Sequence, residues 1–345
     1  MKQMRVSRIT TTLLFLICWT ANHCHAADSP NIILLMGDDH GWDETGYNGH
    51  PHLKTPVLDE MATSGLRLDR FYSAHPSCSP TRGSVITGRH PNRYGTFNPG
   101  YSLRPDEISI ATLLRKAGYH CGHFGKWHLG PVKRHSPTNP GAFGFHQWLS
   151  HDNFFEMDPY LSRNGGPPEK FAGEGSAVLV EETIRFIAKA QKDDRPFFAV
   201  VWFGSPHEPY SGLEEDLALY GDLPEHYRER MANVTSMETG RQTRRRLDKV
   251  LQERYAEITA MDRAIAAVPT SVIPFQSRSS AVNCRLVTSV LCANRRAPSS
   301  PMALPARCNA VMLLFPTSIS AIAVPPCACR SLYDRSNSTI VLAAL

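Results

Sequence analysis

Asp38 and Asp39 stand side by side directly after an unbroken apolar run, Asn31-Ile32-Ile33-Leu34-Leu35-Met36. Two adjacent carboxylates repel each other and raise at least one pKa unless a cation joins them, and a hard divalent ion, Ca2+ or Mg2+, supplies that charge. A solvated Asp-Asp turn is the plainer alternative. A second group is Cys78-Ser79-Pro80-Thr81-Arg82. Ser79 can cap a helix whose first position is Pro80, leaving Cys78 at the positive helix end, where a thiol loses its proton more readily and an anion is welcome. Arg82, one turn on, adds a planar cation suited to an oxyanion. A half-buried structural cysteine, or a disulfide to Cys121, accounts for the same thiol without chemistry. Third, Gly125-Lys126-Trp127-His128-Leu129-Gly130 sets a cation and an imidazole two residues apart, on one side of an extended segment. Fourth, Gly204-Ser205-Pro206-His207-Glu208-Pro209-Tyr210 follows a second apolar run. Each His alone is more often a surface or core residue than a catalyst. Taken as a set, paired carboxylates, a helix-tip Cys with Arg, a Lys/His pair and a post-strand His suit stabilisation of negative charge building on oxygen.

Such groups work only if rigid elements bring them together. The apolar runs 31–36 and 197–203 read as strands buried on both faces of a parallel sheet. A helix is predicted over 55–64, with Thr55 as cap, Pro56 in its first turn, Gly65 closing it and Val57, Leu58 and Met61 on its apolar face. Further helices are predicted over 107–117 from Ile110, Leu113 and Leu114, over 176–190 from Val180, Ile184 and Ile187, and over 243–266. Leu66, Leu68 and Phe71 predict one more extended segment. Helices alternating with fully apolar strands mean an α/β domain with a largely parallel sheet, and ligands of such sheets bind beyond the carboxyl ends of the strands. Residues 131–175, which hold His135, His146, Trp148, His151 and Tyr160, form a polar and aromatic stretch expected to border the pocket or to be surface loop.

Composition bounds the rest. The chain has 345 residues, 42% of them hydrophobic and 20% charged, which excludes a collagen-like or wholly disordered protein. The formal net charge of +5 is concentrated in residues 268–345, which hold seven Arg, one Asp and neither Lys nor Glu, so the body is near neutral. Nothing there suggests nucleic acid as a partner. Those same 78 residues contain no Gly and no His but five of the nine Cys, the composition of a chain read out of frame, and the expected division is a catalytic body at 27–267 and an atypical, non-native-like tail at 268–345. At the other end Lys2, Arg5 and Arg8 precede the apolar stretch Leu13-Leu14-Phe15-Leu16-Ile17-Cys18-Trp19 and the small residues Ala26-Ala27. That order describes a secretory signal peptide over 1–26 and an exported protein, periplasmic or extracellular, with no membrane span in the mature chain.

Cys78-Ser79-Pro80-Thr81-Arg82-Gly83-Ser84-Val85-Ile86-Thr87-Gly88 resembles the C-x-P-x-R signature of the sulfatase family and its extension to T-G. The Asp38-Asp39, Gly125–Gly130 and Pro206–Pro209 segments occur in that family's order and at similar spacings, so the resemblance spans about residues 30–266. It implies an alkaline phosphatase-like fold, a mixed, largely parallel sheet sandwiched by helices, here with the C-terminal part missing. It implies that Cys78 is oxidised to formylglycine by a formylglycine-generating enzyme, and that one oxygen of the hydrated aldehyde attacks the sulfur of a sulfate ester. By the same implication Asp38, Asp39 and residue 78 bind Ca2+ (or Mg2+), Arg82 holds the diol oxygens, and Lys126 contacts diol and sulfate. His128 helps eliminate sulfate and regenerate the aldehyde, and His207 stabilises or protonates the leaving oxygen. The expected substrate is a sulfated small molecule or glycan. Family members complete the metal site with an Asp-Asn pair and add a downstream Lys, whereas no Asp-Asn, Lys or Gly follows Ala266 here. An inactive truncated remnant and a non-catalytic binder of sulfated glycans therefore stand beside the enzyme reading. A related phosphate-ester hydrolase is disfavoured by Cys where Ser or Thr would serve as nucleophile.

Overall fold

A computed structural model describes residues 29–153, 157–236, 240–268, 310–313 and 339–344. The signal-peptide expectation for 1–26 lies outside these residues, as does most of the tail from 269 onward. Ten strands and seven α-helices are described. In chain order they are β1 (Asn31–Met36), α1 (Pro56–Ser64), α2 (Cys78–Thr87), α3 (Pro91–Tyr94), α4 (Ile110–Lys116), β2 (His120–Lys126), β3 (Gln147–His151), β4 (Tyr160–Arg163), β5 (Pro168–Lys170), α5 (Gly175–Lys192), β6 (Phe197–Trp202), α6 (Glu214–Ala218), β7 (Met231–Thr235), β8 (Gln242–Arg246), α7 (Leu247–Ala266), β9 (Ala310–Leu313) and β10 (Thr339–Ala344).

The apolar runs behave as their composition demands. Every residue of β6 is buried, and β6 lies between β2 and β1, parallel to both. The main sheet runs β5-β4-β3-β2-β6-β1-β10-β9, with β3, β2, β6, β1 and β10 parallel and β4, β5 and β9 antiparallel at the edges. Two apolar clusters cover its faces. Leu58 and Met61 of α1, Leu179, Phe186 and Ile187 of α5 and Met261 and Ile265 of α7 pack against one side, with Ile33, Phe124, Ala199 and Val201 from the strands. Ile86 of α2 and Ala111 of α4 close the other with Trp127, Phe198, Val200 and Trp202. This is the expected mixed, largely parallel sheet sandwiched by helices. Among the described residues no helix is long and apolar enough to cross a membrane.

Several local expectations are corrected. Residues 66–71 form no strand, because Arg67 pairs with Asp69 on the solvent side and no ladder partner lies alongside among the described residues. Helix α4 starts only at Ile110, since Ser109 caps it by accepting from the Thr112 amide. Its buried residue is Ala111, while Ile110 and Leu113 face solvent at 41% and 55% exposure. Residues 243–246 belong to β8, which pairs with β7 in a separate antiparallel hairpin, so α7 begins at Leu247. Two tail segments are described: β10 lies parallel to β1 and β9 lies on β10.

Candidate active site

Strand β1 ends at Met36, and the chain turns at Gly37 into Asp38 and Asp39. The turn is held by the neighbouring strand: Phe203 N donates to Met36 O at 2.9 Å and Asp38 N to Ser205 O at 3.0 Å. The carboxyl ends of β1 and β6 therefore deliver Asp38, Asp39 and His207 to one place. Asp39 takes a left-handed conformation, φ 58°, which lets two successive carboxylates diverge. Asp38 is buried, whereas the Asp39 side chain is 51% exposed. The Nε2 of His207 lies 3.5 Å from Asp39 Oδ2, and its Nδ1 contacts the Glu208 carbonyl.

Across from this turn, α2 begins at Cys78 with Ser77 at its cap position. Cys78 is therefore the first helical residue, two residues earlier than the Ser79 cap predicted. Ser79 is buried and its Oγ instead accepts from the Gly100 amide at 2.8 Å, tying the 96–101 loop to the helix. Cys78 and Cys121 are both free thiols, which removes the disulfide alternative. Buried on β2, the Cys121 thiol is pushed up to about 12. The Cys78 thiol is also raised, by burial first and then by the Asp38 carboxylate, so the lowered pKa expected from the helix end is corrected.

Asp38 explains that reversal. Arg82 Nη2 donates to its Oδ1 at 2.9 Å and Lys126 Nζ to its Oδ2 at 2.5 Å, all three side chains being almost wholly buried. Burial alone would raise the Asp38 carboxyl, but Arg82 and Lys126 outweigh it and hold the group well below the ordinary carboxylate range. Lys126 and Arg82 still favour a thiolate at residue 78, but burial and the Asp38 carboxylate oppose it more strongly. Arg82 also packs 4.8 Å over the Trp202 ring and donates to Lys126 O, while its buried Nε has no hydrogen-bond partner among the described residues. Lys126 is delivered by the end of β2, where Gly125 must be glycine: its φ is +106° and a Cβ there would stand 1.9 Å from Trp202 O.

His128 follows in a left-handed turn, φ 52°, its amide bonded to Asp152 O at 3.0 Å. Burial, then the charges of Lys126 and Arg82, drive its imidazole down to about 3. It is thus neutral at physiological pH, able to accept a proton but not to hold one. The structure brings Asp38, Cys78, Arg82, Lys126 and the His128 and His207 rings into one electrostatic neighbourhood. Ligating atoms of Asp38, Cys78 and His207 all lie within 4.8 Å of one another.

The donor set fits a hard divalent cation in part. Asp38 offers a carboxylate oxygen in the close group with Cys78 Sγ and a His207 ring nitrogen, while Asp39, the other expected ligand, lies outside that group. Of the other polar candidates, His146 accepts from Cys121 N and stacks on His120, and Trp148 is buried, so both are structural. His135, His151 and Tyr160 line a cavity beside the site.

Sequence reasoning missed Arg254, and no spacing signal could have found it. It lies on α7, 215 residues from Asp39, and its guanidinium donates to Asp39 O at 2.7 Å, to Pro206 O at 2.8 Å and to Tyr210 Oη at 3.0 Å. Glu44 receives its remaining hydrogens at 2.6 and 2.5 Å. One planar fork thus ties the Asp39 turn to the His207 loop.

The family model for Sulfatase matches residues 30–271. The chain is 31% identical over 245 residues to an ulvan-active sulfatase of Formosa agariphila, covering 68% of this chain and 45% of that protein. It is 42% identical over 218 residues to human N-acetylgalactosamine-6-sulfatase, covering 53% and 41% of the two chains. Among solved structures, Ps i-CgsB superposes with a TM-score of 0.57 at 25% identity, over 70% of this chain and 54% of that one. The chain therefore spans about half the length of the curated relatives it matches.

Proposed function

The chain belongs to the sulfatase family, and from that premise we propose that it hydrolyses sulfate esters of carbohydrates at the carboxyl ends of β1, β2 and β6, as an exported enzyme. The observation that carries the reading is the buried Asp38 carboxylate clasped by Arg82 and Lys126 beside residue 78. A reaction that builds negative charge on sulfate oxygens needs fixed cations that do not reorganise, and Arg82 and Lys126 are fixed by that clasp. Formylglycine at position 78 would supply a hydrate oxygen as nucleophile, and a divalent cation held by Asp38, Asp39 and residue 78 would supply Lewis acidity. Lys126 and Arg82 orient the sulfate against residue 78. His128, being neutral, takes a proton from the side of residue 78, and His207 faces the leaving oxygen with Asp39 behind it. The names of the relatives, an ulvan-active sulfatase and an N-acetylgalactosamine-6-sulfatase, favour sugar sulfates over other esters. The basic residues Lys2, Arg5 and Arg8 ahead of a short apolar run support export.

The test is sulfate release by the full chain, co-expressed with a formylglycine-generating enzyme, from 4-nitrophenyl sulfate and from N-acetylgalactosamine 6-sulfate. Turnover lost on chelation and restored by Ca2+ is the expected result, with a peptide mass at residue 78 matching replacement of the thiol by an aldehyde. An intact thiol at residue 78 and no sulfate release under any metal would overturn the proposal.

A further inference from the structure

A cavity of about 880 Å³ opens where β2 and β3 end, outside the cluster that carries the chemistry. Its inner wall is His151, which lies opposite Lys126 in the β2–β3 register and whose carbonyl accepts from Trp127 N at 2.9 Å. The cavity is thus one residue from the catalytic lysine. Lys133, Arg134 and His135, all exposed, line it together with Tyr160, which is 57% exposed. Among the described residues neither Lys133 nor Arg134 has a carboxylate partner, although the ion pairs of this chain are otherwise numerous.

The backbone beneath those cations is nevertheless fixed. Asn139 Nδ2 donates to Lys133 O at 3.0 Å and to Arg134 O at 2.8 Å, and Arg134 N donates to Gly165 O at 3.1 Å. Gly165, φ +74°, comes so close that a Cβ there would stand 2.2 Å from Arg134 N. Two cations without a carboxylate partner on a pinned loop, sharing with an exposed phenol a cavity large enough for an oligosaccharide segment, fit an anionic sugar. The ring offers an apolar face, and the cations offer charge-assisted hydrogen bonds to a carboxylate or sulfate.

Resting on the sulfatase reading, we propose that this cavity is a subsite for the neighbouring sugar of an acidic glycan, with Lys133 and Arg134 holding an anionic group on the residue next to the one that loses sulfate. The substrate class is then a sulfated oligosaccharide with a second anionic substituent, not an isolated sulfated sugar.

The experiment compares the full chain with its Lys133→Ala/Arg134→Ala variant on a chondroitin 6-sulfate tetrasaccharide and on 4-nitrophenyl sulfate. Both side chains are exposed, so the variant folds, and a melting curve checks it. Loss of two charge-assisted contacts at a partly exposed site raises KM for the tetrasaccharide by about tenfold, with kcat unchanged. Kinetics on 4-nitrophenyl sulfate stay the same. Equal KM for the tetrasaccharide in the two proteins, or a parallel loss on both substrates, overturns the subsite. Calorimetric titration with the same tetrasaccharide reads the subsite without turnover. Should neither substrate be hydrolysed, the sulfatase reading fails, while an affinity about tenfold weaker in the variant still supports the subsite and an equal affinity still removes it.

Discussion

Cys78 is a half-buried thiol whose pKa is pushed up rather than down, with no disulfide partner. As a plain cysteine it is a poor nucleophile in this setting, because burial and the Asp38 carboxylate raise its thiol. Under the proposed function the residue would gain its role through oxidation to formylglycine. Cys78→Ala is expected to abolish sulfate release while leaving the melting temperature within a few degrees of the parent, since only a small side chain at a helix start is lost; turnover assays beside a thermal melt check it. His128 makes the second prediction at this scale. Its imidazole has a pKa of about 3 when folded and 6.5 as a free group, so the unfolded chain binds the extra proton between those values. Folding stability from this group is complete above pH 6.5 and is lost as pH falls toward 3, about 2 kcal/mol of it between pH 7 and 5. His128→Gln should narrow the difference in melting temperature between pH 7 and pH 5. An unchanged difference would mean that His128 is not held neutral by its surroundings.

At the scale of elements, the site is made where strand ends meet helix starts. Strands β1 and β6 fix Asp38 and His207 through two backbone hydrogen bonds beyond the ladder, and α2 presents Cys78 and Arg82 across the gap. Helix α7 braces the assembly from behind. Asp262 of α7 accepts from the Val57 and Leu58 amides at the start of α1 at 3.1 and 2.8 Å, and burial raises its carboxyl to about 6. Arg254 of the same helix clamps the Asp39 turn and the His207 loop. Replacing it frees both loops by enough to misplace groups that need sub-ångström alignment. Arg254→Met combined with Glu44→Gln, which removes both charges of the pair and spares the fold a buried unpaired carboxylate, is expected to lower kcat by about 10- to 100-fold with little change in KM. Arg254→Lys keeps the charge but loses the fork, and should recover little of the rate. Steady-state kinetics on 4-nitrophenyl sulfate decide between this and a purely structural role, in which activity per folded molecule would be unaltered.

For the whole molecule, the fold and the site share one seam. The carboxylates that would hold a divalent cation sit on the turn joining β1 to the rest of the sandwich, so cation binding and folding are linked. Ca2+ at a hundred times its dissociation constant should stabilise the native state by about 2.7 kcal/mol, seen as a rise in melting temperature that Asp39→Asn removes. A melting temperature indifferent to both Ca2+ and Mg2+ would exclude metal binding at this site.

Much of this was legible in the residues themselves. Asn31–Met36 and Phe197–Trp202 are strands because six successive apolar side chains can be buried on both faces only inside a parallel sheet. Asp38, Cys78, Arg82, Lys126, His128 and His207 could be picked out because each stands beside a strand end or a helix start that local sequence already marks. Leu66 to Phe71 and the face of α4 were misread because alternation and spacing say where apolar groups lie, not whether anything will cover them. The protonation state of Cys78 was misread for a related reason: a helix end favours a thiolate, but burial and the Asp38 carboxylate oppose it, and both arise only in three dimensions. The sequence by itself determined the alternating α/β pattern and the residues able to do chemistry, since both rest on local chain geometry. Only the tertiary structure decided the Arg254 clamp, the neutral His128 and the cationic rim at Lys133 and Arg134, because each depends on burial and on groups that meet from distant parts of the chain.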